Sequence, residues 1–178
     1  DGEHLLRPLL DMRGLQLQWF RYPELRTGTT LEDKAAVEAF LADHGYRNAP
    51  VTINSSEWVF ALAYRRAIAA HAPEDTLQRV RDDYVAYMQA KLQYYEGRSV
   101  ALLGYEVPQV LLLHASELNA DTCTVLFSAM RARGYRFVSL AQATSDPAYQ
   151  HADTYVGAFG TSWIHRWAIG EGKPKEFF

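Results

Sequence analysis

Apolar residues in this chain form short unbroken runs that alternate with stretches of helical period. The short runs are bounded by turn residues and predict strands over 16–22, 50–53, 107–113 and 135–140. A run of large aliphatic side chains without polar alternation is typical of a strand buried on both faces of a parallel sheet. Such sheets carry their chemistry at the carboxyl ends of the strands, so the polar and aromatic residues that follow the first three runs are candidates for a site.

The stretches between the strands repeat apolar residues every three to four positions, which predicts helices. Thr30 has the position of a helix N-cap, with Asp33 three residues later. Glycines suit the helix ends at Gly14, Gly45 and Gly134. Strands and helices that alternate at this frequency predict an α/β fold with a parallel sheet and right-handed crossovers. The helices are predicted over residues 5–13, 30–44, 58–71, 73–95 and 119–133.

Composition and charge limit the possible functions. The chain has 178 residues, of which 48% are hydrophobic, enough for one ordinary core. The net charge is -3 and basic residues form no block, which argues against nucleic-acid binding. No apolar stretch has the length of a membrane span, and the first residues show no signal-peptide pattern. The helical pattern begins abruptly, and we expect one domain or a piece of a larger one.

Cysteine and aromatic residues add two further points. Cys123 is the single cysteine, so an internal disulfide and a cysteine-based zinc site are excluded. Its position near the start of a predicted helix favours a buried structural thiol. Aromatic residues make up 13% of the chain and are mainly expected in the core, although exposed Tyr and Trp also stack on sugar rings.

Three short motifs follow the predicted strands in order. They read Arg-Tyr-Pro-Glu over 21–24, Asn-Ser-Ser-Glu-Trp over 54–58 and Leu-Leu-His over 112–114. The chain resembles the polysaccharide deacetylases of the NodB-homology type, carbohydrate esterase family four. The third, fourth and fifth motifs of that family are an arginine followed by x-Pro and usually an aromatic, Asp-x-x-Asp-Trp, and Leu-x-His. The resemblance covers most of residues 5–170.

The resemblance implies a fold and an activity. The fold would be the C-terminal part of a distorted parallel (β/α) barrel, with residues 1–178 as a single partial domain that ends in an aromatic extension from about 145. The activity would be metal-dependent hydrolytic deacetylation of an N-acetylated polysaccharide. The family also implies an extracytoplasmic location, periplasmic or secreted. A partial barrel exposes a sheet edge, through which oligomers are expected to form.

The resemblance also assigns roles to individual residues. His114 would be the general acid that protonates the leaving amine. Glu57 would be the carboxylate that tunes this histidine, and Arg21 would pair with the family's catalytic aspartate. The substrate-binding residues that the resemblance implies are Tyr22, Trp58 and Leu112.

The same residues have purely structural interpretations. A lone histidine at a strand end is commonly a hydrogen-bonded core residue, and Arg21 on a strand edge is commonly a surface cation. Glu57 suits the start of a helix, where the macrodipole favours an acid. Trp58 and Leu112 are equally expected as ordinary core residues.

This sequence departs from the family pattern at three positions. Glu24 replaces the customary aromatic residue and removes an apolar wall. Asn54 replaces an aspartate and carries no charge, while Glu57 is one methylene longer than the usual Asp.

The family's metal centre is not encoded. Its members hold a divalent metal, commonly zinc, with residues of a Thr-Phe-Asp-Asp and a His-x-x-x-His motif, and neither motif occurs in this sequence. No two of the six histidines are three or four residues apart, so we expect this chain to bind no metal. An alternative function is a catalytically inactive carbohydrate-binding module or pseudoenzyme that uses Trp58, Trp163, Trp167 and neighbouring Tyr residues. A third possibility is that the aromatic tail forms a subunit interface.

Overall fold

The computed structural model describes residues 2–178, and 58% of the chain is helical. In this range the α-helices are α1 (Glu3–Asp11), α2 (Leu31–Asp43), α3 (Glu57–Ala69), α4 (Glu74–Leu103), α5 (Glu117–Ala132), α6 (Leu140–Ala143) and α7 (Trp163–Gly170). Two short strands, β1 (Trp19–Phe20) and β2 (Arg47–Asn48), form the sheet. Short 3₁₀ turns span Pro23–Leu25, Pro147–Gln150 and Lys175–Phe177.

Three backbone segments run parallel and side by side. β1 pairs with β2 in parallel, with Phe20 opposite Asn48. Further along, Ile53 forms an isolated parallel bridge with Leu111. The Ile53 N–H donates to the carbonyl oxygen of Val110 over 3.0 Å and supports this bridge. The result is a helix-rich α/β structure with a small parallel sheet, which does not close within the described residues.

The strands are much shorter than the sequence predicts. The strand predicted over 16–22 is reduced to the two residues of β1, and the pairing of 107–113 is limited to the bridge at Leu111. Pro50 has no N–H to donate, which separates β2 from the bridge at Ile53. The strand predicted over 135–140 is absent, because no neighbouring backbone pairs with residues 135–139 among the described residues and Leu140 begins α6.

The helices follow the predicted pattern more closely. The hydroxyl of Thr30 accepts a hydrogen bond from the Asp33 N–H over 3.0 Å, which confirms the predicted cap of α2. α4 continues past the predicted end at Tyr95 because Ser99 keeps the inward face buried for another turn. The helix ends at Gly104, whose φ of 82° is readily adopted only by glycine.

α4 is the central helix of the core. Its inward side chains Tyr84, Met88 and Leu92 are spaced by four residues and are fully buried. The helix packs against α3, α5 and α7. Burial of one such side chain is worth about 1.5–3 kcal/mol, so this face supplies a large share of the driving force for folding. Other core residues are Val51, Ile53, Leu118, Leu126, Ile164 and Trp167.

The aromatic C-terminal segment belongs to the same core. The backbone N–H of Trp163 donates to the carbonyl oxygen of Val51 over 2.8 Å, which anchors α7 against the parallel segments. Trp163 and Trp167 are buried. Their predicted use as sugar-stacking platforms is therefore wrong, because neither indole presents a face to solvent.

α1 differs from the core helices in its exposure, since none of its residues is buried. Its apolar side chains Leu5, Leu6 and Leu9 are at least half exposed and occupy adjacent turns. The helix predicted from the spacing of Leu5, Leu6, Leu9 and Leu10 is present. No helix in residues 2–178 combines the length and the apolar composition that crossing a bilayer requires.

Candidate functional site

The three motif segments meet in one open cleft of about 730 Å³. Each of them follows a paired backbone segment: 21–26 follows β1, 54–58 follows the bridge residue Ile53, and 112–114 follows its partner Leu111. Because the segments run parallel, their carboxyl ends lie at the same edge of the structure. The convergence expected from the sequence is present.

His114, which lines this cleft, is bonded to Glu57. Glu57 is the first residue of α3 and is only 1% exposed, so its carboxylate is shielded from water. One carboxylate oxygen, Oε1, accepts the backbone N–H of His114 over 2.9 Å and also contacts Nδ1 of the ring. Two contacts to one oxygen fix both the strand end and the imidazole. The side chain of His114 is 58% exposed, which leaves Nε2 as the nitrogen available to a ligand.

Asn119 completes this pair, and the sequence interpretation missed it. Its side-chain amide donates to the backbone oxygen of His114 over 2.8 Å and to Oε2 of Glu57 over 3.4 Å. The residue lies in the first turn of α5, where the Ser116 hydroxyl caps its backbone N–H over 3.2 Å. The available sequence signal was an amide side chain five positions after a strand-end histidine, at the start of a helix.

Tyr84 of α4 supports Asn119 from inside the core. Its hydroxyl donates to the side-chain oxygen of Asn119 over 2.6 Å. Burial, reinforced by the charge of Glu57, raises the pKa of the Tyr84 phenol, so the hydroxyl keeps its proton and remains a donor. A chain of hydrogen bonds therefore runs from the core through Asn119 and Glu57 to His114, and it fixes which way the amide of Asn119 faces.

Arg21 lines the cleft but has lost the partner that the resemblance gives it. Its Nε donates to the backbone oxygen of Ala49 over 3.4 Å, and in residues 2–178 it forms no ion pair. Burial lowers the pKa of this guanidinium. Arg21 is thus a half-buried cation next to the cleft, suited to an anionic or partly charged ligand oxygen.

The three predicted substrate-binding residues differ in what they offer. Trp58 is 57% exposed at the rim of the cleft, so its indole face is open to a ligand. Leu112 is half-buried and contributes an apolar wall. Tyr22 is buried with its hydroxyl turned inward and unpartnered, and burial raises the pKa of this phenol. Tyr22 therefore lines the cleft without offering an accessible hydroxyl to a ligand.

The positions that depart from the family pattern also lie in the cleft. Glu24 forms an ion pair with Arg26 over 2.7 Å, and both side chains are exposed. Asn54 is half-buried and lines the wall beside Ser55. In residues 2–178, no three His, Cys, Asp or Glu side chains are grouped so that they hold a metal ion. The donor set of the described residues therefore does not fit the family's zinc centre.

The cleft combines three chemical capabilities. His114 can exchange a proton, Arg21 can stabilise a developing negative charge, and Trp58 can stack on a ring. No family model, no curated protein and no solved structure matches this chain. The function is therefore argued from the cleft and from the motifs that line it.

Proposed function

We propose that this chain is the C-terminal part of a NodB-type deacetylase barrel that acts on N-acetylated glycans. Its contribution to the reaction is the general acid. The observation that carries the proposal is the bonded pair of His114 and the buried Glu57, at the meeting point of three parallel backbone ends and beside the exposed indole of Trp58.

Hydrolysis of an acetamide requires a proton donor because an amine anion is a very poor leaving group. His114 suits this requirement, since it lines the cleft and its Nδ1 is held by Glu57, which leaves Nε2 for a ligand. A carboxylate against Nδ1 fixes the tautomer and the orientation of the ring, as an orienting acid does in other histidine-based sites. Glu57 itself is buried, so its carboxylate is shielded from water.

The remaining parts of the cleft suit the same substrate class. Sugar rings present apolar C–H faces that stack on an exposed indole such as that of Trp58. Leu112 provides an apolar wall for a small acyl group. Arg21 supplies a positive charge that forms no ion pair among the described residues, since the nearby Glu24 pairs with Arg26. Together these features favour an uncharged or anionic N-acetylated saccharide over a cationic ligand.

The family's metal and catalytic base have no counterpart in residues 2–178. In this proposal both belong to a segment of the enzyme other than the described residues. The three parallel segments form one part of a barrel, and the unpaired segment 135–139 provides a place for further strands.

The test is the binding of a chitin tetramer to the isolated chain, followed by heteronuclear NMR. The tetramer is expected to shift the indole resonance of Trp58 and the ring resonances of His114. A cellulose tetramer of the same length, which lacks acetamides, is the ligand control. Trp58→Ala should abolish binding, whereas Trp19→Ala, outside this cleft, should leave it unchanged. Equal responses to both tetramers, or none at millimolar concentration, would overturn the proposal.

A second candidate, a carbohydrate-binding module without catalysis, is favoured by the absence of a metal donor set in the described residues. The two functions differ in what His114 does. A general acid acts in the transition state, so His114→Ala should leave tetramer affinity nearly unchanged. In a binding module the exposed imidazole is a hydrogen-bonding contact, and the same substitution should weaken affinity about tenfold, as expected for one lost polar contact.

A further inference from the structure

The turn that forms one wall of the cleft has an uncommon backbone conformation. Glu24 and Leu25 have φ values of 51° and 57°, in the left-handed region that residues with a Cβ rarely enter. Two such residues in succession need support from the surrounding structure. Both residues line the cleft, so whatever supports them also determines its shape.

Arg166 provides this support from behind the turn. Its side chain is fully buried, and its NH2 group donates to the carbonyl oxygen of Leu25. Its NH1 group donates to the hydroxyl of Thr27 over 2.8 Å and to Asp153 Oδ2 over 2.9 Å. Its Nε donates to the carbonyl oxygen of Thr161 over 3.1 Å. One guanidinium thereby links the turn to the segment that precedes α7.

Burying the charges around Arg166 costs desolvation free energy, so a gain in stability alone does not account for this residue. Lys34 also pairs with Asp153 over 2.8 Å, so two buried cations share one carboxylate. The guanidinium also lies 4.2 Å from the ring centroid of Trp163. Apolar residues of similar volume commonly stabilise a core as well as a buried ion pair does. A fork of directed donors, by contrast, specifies the position of a backbone carbonyl.

Gly160 lies in close contact with the same turn. A Cβ built at Gly160 would collide with the carbonyl oxygen of Glu24 and would lie 2.6 Å from the carbonyl carbon of Leu25. In the same loop, the backbone N–H of Gly157 donates to the carbonyl oxygen of Gly28 over 3.0 Å. The turn is therefore held between Arg166 and the loop of residues 153–161.

We propose that Arg166 is a positioning residue for the cleft: it holds the Glu24–Leu25 turn in its left-handed conformation and so sets the wall that a ligand meets. The identity of that ligand rests on the proposed function. The positioning itself does not, because it is measurable in the ligand-free protein.

The experiment is amide hydrogen exchange at Leu25 and Arg26, whose N–H groups bond to the carbonyl oxygens of Tyr22 and Pro23 over 2.9 and 3.0 Å. Arg166→Ala and Arg166→Lys should each speed exchange at these two amides at least tenfold more than at the core amide of Met88. Arg133→Ala is the matched control, because Arg133 bonds Glu96 away from the cleft. This variant should leave exchange at the turn unchanged. Acceleration in parallel with Met88, or no acceleration at the turn, would overturn the proposal.

Rescue and a second variant separate positioning from general destabilisation. Methylguanidinium at low millimolar concentration should restore slow exchange in Arg166→Ala, whereas methylammonium should not. If Arg166→Ala does not fold, Gly160→Ala disturbs the same turn with Arg166 intact, and it should speed exchange at Leu25 in the same way. Among variants that bind the chitin tetramer, those with faster amide exchange at Leu25 and Arg26 should bind the tetramer more weakly. A wild-type chain that does not bind the tetramer refutes the proposed function, while the exchange results still decide the role of Arg166.

Discussion

The imidazole of His114 is held by an oxygen of Glu57 that also accepts the backbone N–H of the same histidine. The carboxylate therefore holds both the imidazole ring and the backbone of the strand end that carries it. Because Nδ1 faces the carboxylate, the neutral ring should carry its proton on Nδ1 and leave Nε2 unprotonated. This arrangement makes the protonation pattern of His114 a direct readout of the site.

Replacing Glu57 with Gln should weaken the hold on the His114 ring without changing the size of the side chain. The charge-assisted bond to Nδ1 is lost, and we expect a mixture of histidine tautomers together with a loss of stability of about 1–3 kcal/mol. Nitrogen chemical shifts of the His114 ring measure the first effect, and urea denaturation measures the second. Glu117→Gln, in the first turn of α5 and exposed, is the matched control. Unchanged ring shifts in Glu57→Gln would contradict the assigned geometry.

The bond between Tyr84 and Asn119 should show strong coupling in stability. Asn119→Ala leaves the buried Tyr84 hydroxyl unsatisfied and should cost about 1–3 kcal/mol. Tyr84→Phe removes the donor, and the double variant should be less destabilised than the sum of the single variants. Urea denaturation of the four proteins gives the coupling energy. Strict additivity would show that the bond contributes nothing.

His165 should make the stability of the fold depend on pH. Burial, with smaller contributions from the charges of Arg98 and Lys91, lowers the pKa of His165 from 6.5 to about 4. The unfolded chain therefore binds more protons than the folded chain between these values, and stability falls as the pH drops from 6.5 to 4. The expected loss is about 2 kcal/mol, reduced from the full shift because the ring is half-buried.

The comparison of variants isolates this contribution from those of the carboxylates. Urea denaturation at pH 7.5 and pH 4.5 should show a smaller pH dependence for His165→Gln than for the wild type. His4→Gln, at an exposed position of α1, should keep the wild-type dependence. Identical pH dependence in all three proteins would rule out His165 as the source.

We expect the isolated chain to bind no zinc at a specific site. The donor set of residues 2–178 is not grouped for a metal ion, so we expect no stoichiometric zinc after dialysis and no change of Tm with EDTA. Release of acetate from a chitin tetramer should be negligible for the same reason. Zinc retained at one equivalent together with acetate release would refute this prediction.

The sequence predicted the helices and the convergence of the site better than the strands. Helix signals are local, as the cap formed by Thr30 and Asp33 illustrates. A strand needs a partner elsewhere in the chain, and periodicity alone does not show that 135–139 lacks one. The convergence of the motif segments followed from the parallel strand ends, which is a rule of topology, whereas the pairing of His114 with Glu57 was implied by the resemblance.

The residues that support the site and the adjacent turn could not be predicted from the sequence. Asn119 lies 62 positions from Glu57, and Arg166 lies 141 positions from Leu25. Neither has a local pattern that marks its partner, since an amide at a helix start and an arginine in an aromatic helix both have common structural uses. Their roles depend on packing of α5 and α7 against α4, which only the folded chain defines.

The unequal exposure of the tryptophans has a practical consequence. Trp58 faces solvent at the cleft, whereas Trp163 and Trp167 are sealed in the core and Trp19 is half-buried. Iodide in solution should quench mainly the emission of Trp58, and a ligand seated on its indole should shield it from the quencher. The native chain thus carries its own optical probe of cleft occupancy, which reports binding without any label.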